Sequence, residues 1–291
     1  SSFQKLLNVN NVHLVISAGT SSEALAIAPL ATSNKIPVLA PWATTPELTG
    51  SIPYIFRNVA SDIYEGSVMG DFVAKKLAIA TIALAYVNND YGIGISNAFR
   101  KELNKSGEIT IVAEELFSQG AIDFSAQITR IKASNPDALY LIGYKEMVRF
   151  LEQAEILNLQ LQILGASPFE DPEILQKAPT ISKNAYFTSQ SFYADSSSVL
   201  VSKFLEQYGE KYKQSPNVYS ALAYDAMKIT LEVTSNSTSS DDIVNALKNL
   251  QEFPGVTGKT SFDQNGDVIK PVRIKKIVNG EFKWVSKNEQ P

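Results

Sequence analysis

Short runs rich in β-branched and aliphatic residues alternate along this chain with longer stretches of helical period, and that alternation most constrains the fold. Strands are expected at Val12–Ser17, Pro37–Ala40, Thr81–Val87, Ile109–Glu114, Ala138–Ile142, Gln162–Leu164 and Ala185–Thr188. Between and after them, helices are expected at Ser22–Ser33, Asp62–Ala78, Gly94–Lys105, Asp123–Ala133, Lys145–Leu157, Ser196–Tyr212, Tyr219–Thr234 and Asp241–Leu250. Strand, helix, strand order is the pattern of a parallel α/β architecture with helices on both faces of each sheet. The tail, Val268–Ile277 and Glu281–Val285 around Asn279-Gly280, reads as a hairpin, because that dipeptide suits a turn with two left-handed residues. A chain of 291 residues exceeds one ordinary core. We therefore expect an α/β protein of two doubly wound lobes. Tyr54–Val59 reads as an extended crossing, and further crossings at Ser189–Phe192 and Gln264–Val268 make both lobes discontinuous. The first lobe is then 1–58 plus 192–265, and the second 59–191 plus 266–291.

Two of the strands run into loops of the same composition: Ala18-Gly-Thr-Ser-Ser-Glu23 after Ser17, and Pro41-Trp-Ala-Thr-Thr-Pro-Glu47 after Ala40. In open α/β sheets the carboxyl ends of the strands are where small ligands bind. Helix N-termini there leave amide donors and partial positive charge, which suit an anionic group such as a carboxylate. Helix capping is the plain alternative role for Thr20, Ser21, Ser22, Thr44 and Thr45.

The rest of the composition chiefly excludes. A net charge of −4 without a basic stripe argues against a nucleic-acid partner. Cysteine is absent, which removes disulfides, thiolate metal sites and cysteine nucleophiles. No apolar run approaches the roughly 18 residues of a membrane helix, and no signal peptide opens the sequence. The chain is thus not expected to span a membrane, and an extracytoplasmic location has to be argued on other grounds.

The inventory for catalysis is thin. His13 is the only histidine and falls in an expected strand, where a structural role is favoured. No Gly-x-Ser-x-Gly elbow is present, and zinc sites built from histidine and cysteine are excluded. Tyr91-Gly-Ile-Gly94 follows a strand and opens a helix but lacks the third glycine of a dinucleotide fingerprint. It reads instead as a tight turn holding the Tyr91 ring out over the rim. Asp263-Gln-Asn-Gly-Asp267 starts like a calcium loop but has no closing glutamate, so a turn is expected. The expectation is a protein that is not an enzyme and needs no cofactor or metal.

Several segments, in order, resemble the periplasmic branched-chain amino-acid-binding proteins of ABC importers. They are Ser17–Ala26, Pro41–Thr49, Tyr54-Ile-Phe-Arg57, Asn89–Gly94, Asp123–Ile128, Asn135–Leu139, Ala223–Ala226 and Gly258–Asp263. The resemblance implies a type I periplasmic-binding fold, two lobes joined by three hinge crossings that close over a ligand. Residue by residue it implies that Thr20 binds the ligand carboxylate, that Trp42 contributes a backbone contact and that Thr44 contacts the carboxylate and amine region. Ser21 and Ala43 belong to the same wall. From the second lobe, Tyr91 matches an aromatic folded over the ligand and Tyr144 a further wall.

Two departures stand out. Where amino-acid-specific members place an acid to receive the ligand ammonium, this chain has Ser167, so either Glu170 or Asp171 reaches back or the ligand carries no ammonium. Trp42 replaces a small residue, and its ring is expected either in the cleft or in packing. The opening Phe3–Leu7 resembles the family's second helix, so a strand-helix-strand unit of roughly 50 residues is expected to precede it. The function expected from the resemblance is a periplasmic or extracellular receptor delivering a small amino acid or related carboxylate to a membrane permease. A sensory or regulatory module on the same fold is the alternative.

Overall fold

A computed structural model of the chain describes residues 2–290 apart from 18, 49, 51, 191, 193–197, 238, 269 and 287. Ala18 and Thr49 of the segments above, Ser191 of the second expected crossing, Ser196 at the head of an expected helix and Ile269 of the tail lie outside the described residues. The chain divides into two compact units, Ser1–Ser61 with Gln190–Pro271, and Asp62–Ser189 with Val272–Pro291. It therefore passes three times from one unit to the other. Residues 266–271, assigned from sequence to the second lobe, belong to the first unit. Asp267 is paired there with Arg57, and Lys270 is bonded to Asn58 and Thr257.

The first unit opens with α1 (Ser2–Asn10), β1 (Val15–Ile16), α2 (Ser21–Asn34), β2 (Val38–Ala40), a 3-10 turn at Pro46–Leu48 and β3 (Ile55–Arg57). Helix α2 begins at the N-cap Thr20, whose amide donates to the Glu23 carboxylate at 2.7 Å, and it ends where Lys35 turns left-handed. The three strands form a parallel sheet in the order β1-β2-β3, with Val15 beside Val38 and Val38 beside Ile55. The expected strand at Val12–Ser17 is laddered only at Val15–Ile16. His13 lies outside it, exposed, with its carbonyl accepting from Ser240 Oγ at 3.3 Å.

The second unit begins with α3 (Asp62–Lys76), β4 (Thr81–Val87), α4 (Asp90–Ser106), β5 (Thr110–Phe117), α5 (Ser125–Ser134) and β6 (Ala138–Ile142). It continues with α6 (Glu146–Ile156), β7 (Gln162–Gly165), a 3-10 turn at Ser167–Phe169, α7 (Pro172–Lys177) and β8 (Tyr186–Gln190). The chain then returns to the first unit for α8 (Val199–Tyr212), α9 (Val218–Thr234), α10 (Ser240–Lys248) and a small antiparallel pair, β9 (Phe253–Gly255) and β10 (Gly258–Thr260). It finishes in the second unit with β11 (Val272–Val278) and β12 (Glu281–Trp284).

The second unit's sheet runs β12-β11-β8-β7-β6-β4-β5. Every residue of β6, Ala-Leu-Tyr-Leu-Ile, is buried, as an unbroken apolar run requires of a central parallel strand covered on both faces. At the edge, β5 alternates exposed and half-buried positions, matching its acidic residues Glu114 and Glu115. The tail hairpin pairs Val278 with Glu281 around Asn279 and Gly280, whose φ values of 53° and 75° make the left-handed turn their side chains suit. Helix α7 and the β9–β10 pair carry no periodic signal of the kind sequence reading uses, being too short.

Candidate ligand-binding site

In the first unit both hydroxyl-rich loops leave the same edge of the β1-β2-β3 sheet, because β1 and β2 are parallel neighbours. The two loops are tied to each other. Ser21 Oγ, at the head of α2, accepts from the amides of Thr44 at 3.3 Å and Thr45 at 3.2 Å. Ser21 is thus a buried bracket between the loops. Thr20 is the half-buried N-cap beside it. Ala43 is fully buried in the core beneath.

Trp42 turns into packing. Its Nε1 donates to the Tyr219 carbonyl at 3.0 Å, and the two rings meet edge to face at 6.4 Å, so the indole anchors the loop on the first turn of α9.

From β3, Arg57 reaches under the same loop. It is 1% exposed, and Nη1 donates to the carbonyls of Thr44 at 2.9 Å and Thr45 at 2.6 Å, while Nη2 pairs with Asp267. Sequence reading placed Arg57 only in a crossing segment. Its guanidinium fork holds the loop from below while Ser21 holds it from the side.

The consequence is that Thr44 is fixed through both its amide and its carbonyl. Its Oγ1 is buried and has no hydrogen-bond partner among the described residues. A buried hydroxyl without a partner costs free energy, on the order of 1–3 kcal/mol, unless something supplies the bond.

In the second unit Tyr91 and Tyr144 stack, with ring centroids 5.0 Å apart and planes 21° apart. Asn89 caps α4, its side chain accepting from Gly92 N, so Tyr91 already lies in the helix's first turn and is buried. This corrects the expectation that a tight turn holds its ring out over the rim. The glycine that follows is required by packing: a Cβ at Gly92 would sit 2.0 Å from the Val87 carbonyl oxygen. Gly92→Ala is expected to destabilise the chain by about 1–3 kcal/mol, by forcing α4 off β4. Denaturant melts check this, and a loss below half of that range would contradict the close approach.

Burial raises the Tyr144 phenol well above its ordinary value, and the charges of Asp62, Glu146 and Asp90 push it the same way, against a hydrogen bond with Asn89. Ser167 follows β7, and both its amide (2.5 Å) and its Oγ (2.7 Å) donate to Oε1 of Glu65 on α3. Thr188 Oγ1 of β8 donates to the same oxygen at 2.6 Å. Glu170, expected to reach back toward a ligand, is engaged elsewhere. It pairs with Lys275, whose ammonium lies 4.3 Å from the Trp284 ring centroid, and accepts from Ser189 Oγ at 2.8 Å. Asp171 caps α7 by accepting from Glu173 N at 2.9 Å. The site residues therefore fall into two groups, Thr20, Ser21, Trp42, Ala43 and Thr44 on the first unit and Tyr91, Tyr144, Ser167 and Glu170 on the second. Glu65, Thr188 and Arg57 join them from structure alone. An acid in the first turn of a helix is ordinary, so Glu65 carried no distinguishing mark in the sequence.

Among the described residues no group of histidine and acidic side chains has the arrangement of a metal site, and no helix is long and apolar enough to cross a membrane. Asp263 Oδ1 accepts from the amides of Asn265 and Asp267, closing its segment as a turn.

Parallel α/β units with hydroxyl-lined loops at their strand ends, and a chain that crosses three times between them, define a two-unit ligand-binding protein. The chain belongs to the periplasmic binding protein family, whose model matches residues 1–281. It is similar to the Leu/Ile/Val-binding protein BraC3 of Rhizobium johnstonii, with 25% identity over 263 residues, 89% of this chain and 71% of that protein. It is likewise similar to the leucine-specific-binding protein of Salmonella typhimurium, with 26% identity over 283 residues, 96% of this chain and 74% of that protein. Among solved structures, a leucine-binding protein LivK from Thermotoga maritima superposes with a TM-score of 0.89 at 29% identity, covering 97% of this chain and 81% of that one. The LivJ substrate-binding protein of Streptococcus pneumoniae, solved with isoleucine, superposes at 0.87 and 29%, covering 97% and 80%. The fold is the type I periplasmic-binding fold, as the resemblance implied. These relatives are named as binding proteins.

Proposed function

We propose that this chain is the extracytoplasmic solute receptor of an ABC importer, non-enzymatic, which captures a small amino acid or related carboxylate and delivers it to a membrane permease. The observation that carries this reading is Thr44. Its backbone is clamped by Ser21 and Arg57, and its buried hydroxyl has no partner among the described residues. A ligand carboxylate beside Thr20 and the α2 N-terminus supplies the missing acceptor, where the helix dipole favours negative charge. The leucine, isoleucine and valine named for the relatives set the first compounds to try. The Tyr91–Tyr144 stack offers an aromatic wall for an aliphatic side chain.

Titration with these amino acids and with aliphatic and aromatic carboxylates is expected to give saturable binding, with a stabilisation of about 2.7 kcal/mol at a hundredfold excess over Kd. No stabilisation across that panel would overturn the reading. Thr44→Val is expected to weaken binding by about 1–3 kcal/mol while leaving the free chain as stable or more stable, because it deletes an unsatisfied hydroxyl along with the ligand contact. Calorimetric binding and unaided melts together check the opposite signs. Unchanged affinity would reduce Thr44 to a loop residue.

A further inference from the structure

The second unit contains a buried acid whose surroundings are arranged as an acceptor site. Glu65 is 1% exposed, and its Oε1 receives Ser167 N, Ser167 Oγ and Thr188 Oγ1. These three donors are neutral, so they orient the carboxylate and favour its ionised form without cancelling its charge. Their placement matters. Ser167 lies just past the end of β7, and the register that pairs Gly165 with Phe187 puts Thr188 one residue beyond that end on β8. The carboxylate is therefore held at the carboxyl rim of a parallel sheet, where this architecture binds ligands.

A second, independent feature lies beside it. The Tyr140 hydroxyl of β6 is completely buried and makes no hydrogen bond among the described residues, the Thr188 proton being committed to Glu65. Burial above all, and then the charges of Glu65 and Asp62, raise this phenol far above its ordinary value. Asp62 and Glu146 act in the same sense on Tyr144. The rim of the second unit is thus a region of negative potential containing an oriented carboxylate and an unpartnered phenol oxygen. Neighbouring acids have other duties: Glu170 is paired with Lys275, Asp171 caps α7, and Glu146 accepts from the amides of Gly120 and Tyr144.

We infer that Glu65 is the anionic partner of the ligand's ammonium group, so that the solute is an amino acid and not a simple carboxylate. The assignment rests on the solute-receptor reading above. It also accounts for serine at position 167: the negative charge comes from α3, and Ser167 serves to aim it.

The test compares leucine, isoleucine and valine with their deaminated analogues, such as 4-methylpentanoate, in equilibrium binding to the full chain. The unaltered chain is expected to prefer the amine-bearing member of at least one pair by about 100-fold or more, since a buried ammonium without a counter-charge is strongly disfavoured. Glu65→Gln, which keeps an oxygen for the three donors, is expected to erase that preference while leaving the analogue's affinity unchanged. Adding Ser167→Glu to Glu65→Gln should restore the preference by returning the charge from the β7 side. Equal affinity for both members of each pair in the unaltered chain overturns the assignment and leaves the receptor reading intact, as does equal weakening of both ligands by Glu65→Gln. Absence of binding by either member of every pair, or by any other carboxylate, overturns the receptor reading and the assignment with it. If Glu65→Gln does not fold, the preference of the unaltered chain and of the double variant decides.

Discussion

Replacing Arg57 by leucine is expected to lower the unfolding free energy of the chain by about 3–5 kcal/mol, the largest loss we anticipate from a single side chain. The reason is what remains behind. Leucine fills part of the volume of a residue that is 1% exposed, but the carbonyls of Thr44 and Thr45 lose their donor and the Asp267 carboxylate loses its counter-charge. Asp267 retains 22% of its side-chain exposure, so water recovers some of its solvation and the lower end of the range is the better expectation. Arg57→Lys keeps the charge but has no planar fork to serve two carbonyls and a carboxylate together, so an intermediate loss is expected. Urea titration of the three proteins checks the order. A loss below about 1 kcal/mol for Arg57→Leu would mean that the guanidinium does not hold the loop. In ligand titrations the same variant should also weaken binding, because Thr44 is positioned through the carbonyl that Arg57 holds.

Which of these features could be read from the sequence depends on whether a local signal existed. Unbroken apolar runs marked β4 and β6, and alternation marked β5, because burial on two faces or one is written directly into residue period. Asn279-Gly280 announced its hairpin for a conformational reason that needs no tertiary context. Thr20 and Thr44 were legible as hydroxyls past strand ends, and the resemblance gave them roles. What stayed hidden was long-range pairing. Ser167 and Glu65 are 102 positions apart, Arg57 and Asp267 are 210 apart, and the Trp42 indole finds its acceptor 177 positions away. Nothing local distinguishes Glu65 from any acid at a helix start. Glu170 illustrates the converse: its proximity in sequence to the β7 loop suggested a ligand contact, but Lys275, 105 positions on, engages it. Asp225 belongs with these. Quoted at first only as part of a family-like segment, it holds the β9–β10 turn by accepting from the amides of Val256 and Thr257 at 2.8 Å each.

The same Asp225 sits beside the group that should give this chain an unusual response to alkali. Lys270 is 4% exposed, and its ammonium donates to Asn58 Oδ1 at 2.8 Å and Thr257 Oγ1 at 2.7 Å, both neutral acceptors. Burial pushes its pKa down from 10.5 to about 8, against the opposing attraction of Asp225. Below that value the folded and unfolded chains are both protonated, and the fold bears the full cost of burying the charge. Between about 8 and 10.5 the folded lysine releases its proton while the unfolded one keeps it, so unfolding takes up a proton and stability rises with pH. At about 1.4 kcal/mol per pKa unit the gain attributable to Lys270 is about 3 kcal/mol over that window. Other groups titrate in alkali, so the informative quantity is the stability of Lys270→Met relative to the unaltered chain. That difference should move by about 3 kcal/mol to the variant's disadvantage between pH 7.5 and 10.5, as the unaltered chain gains what the variant cannot. A difference that stays flat across the window would show that Lys270 does not titrate there. The neutral amine still donates to Asn58 and Thr257. The tie between the segment before the first crossing and the segment before the third therefore persists in alkali, and the fold gains stability without losing the contact.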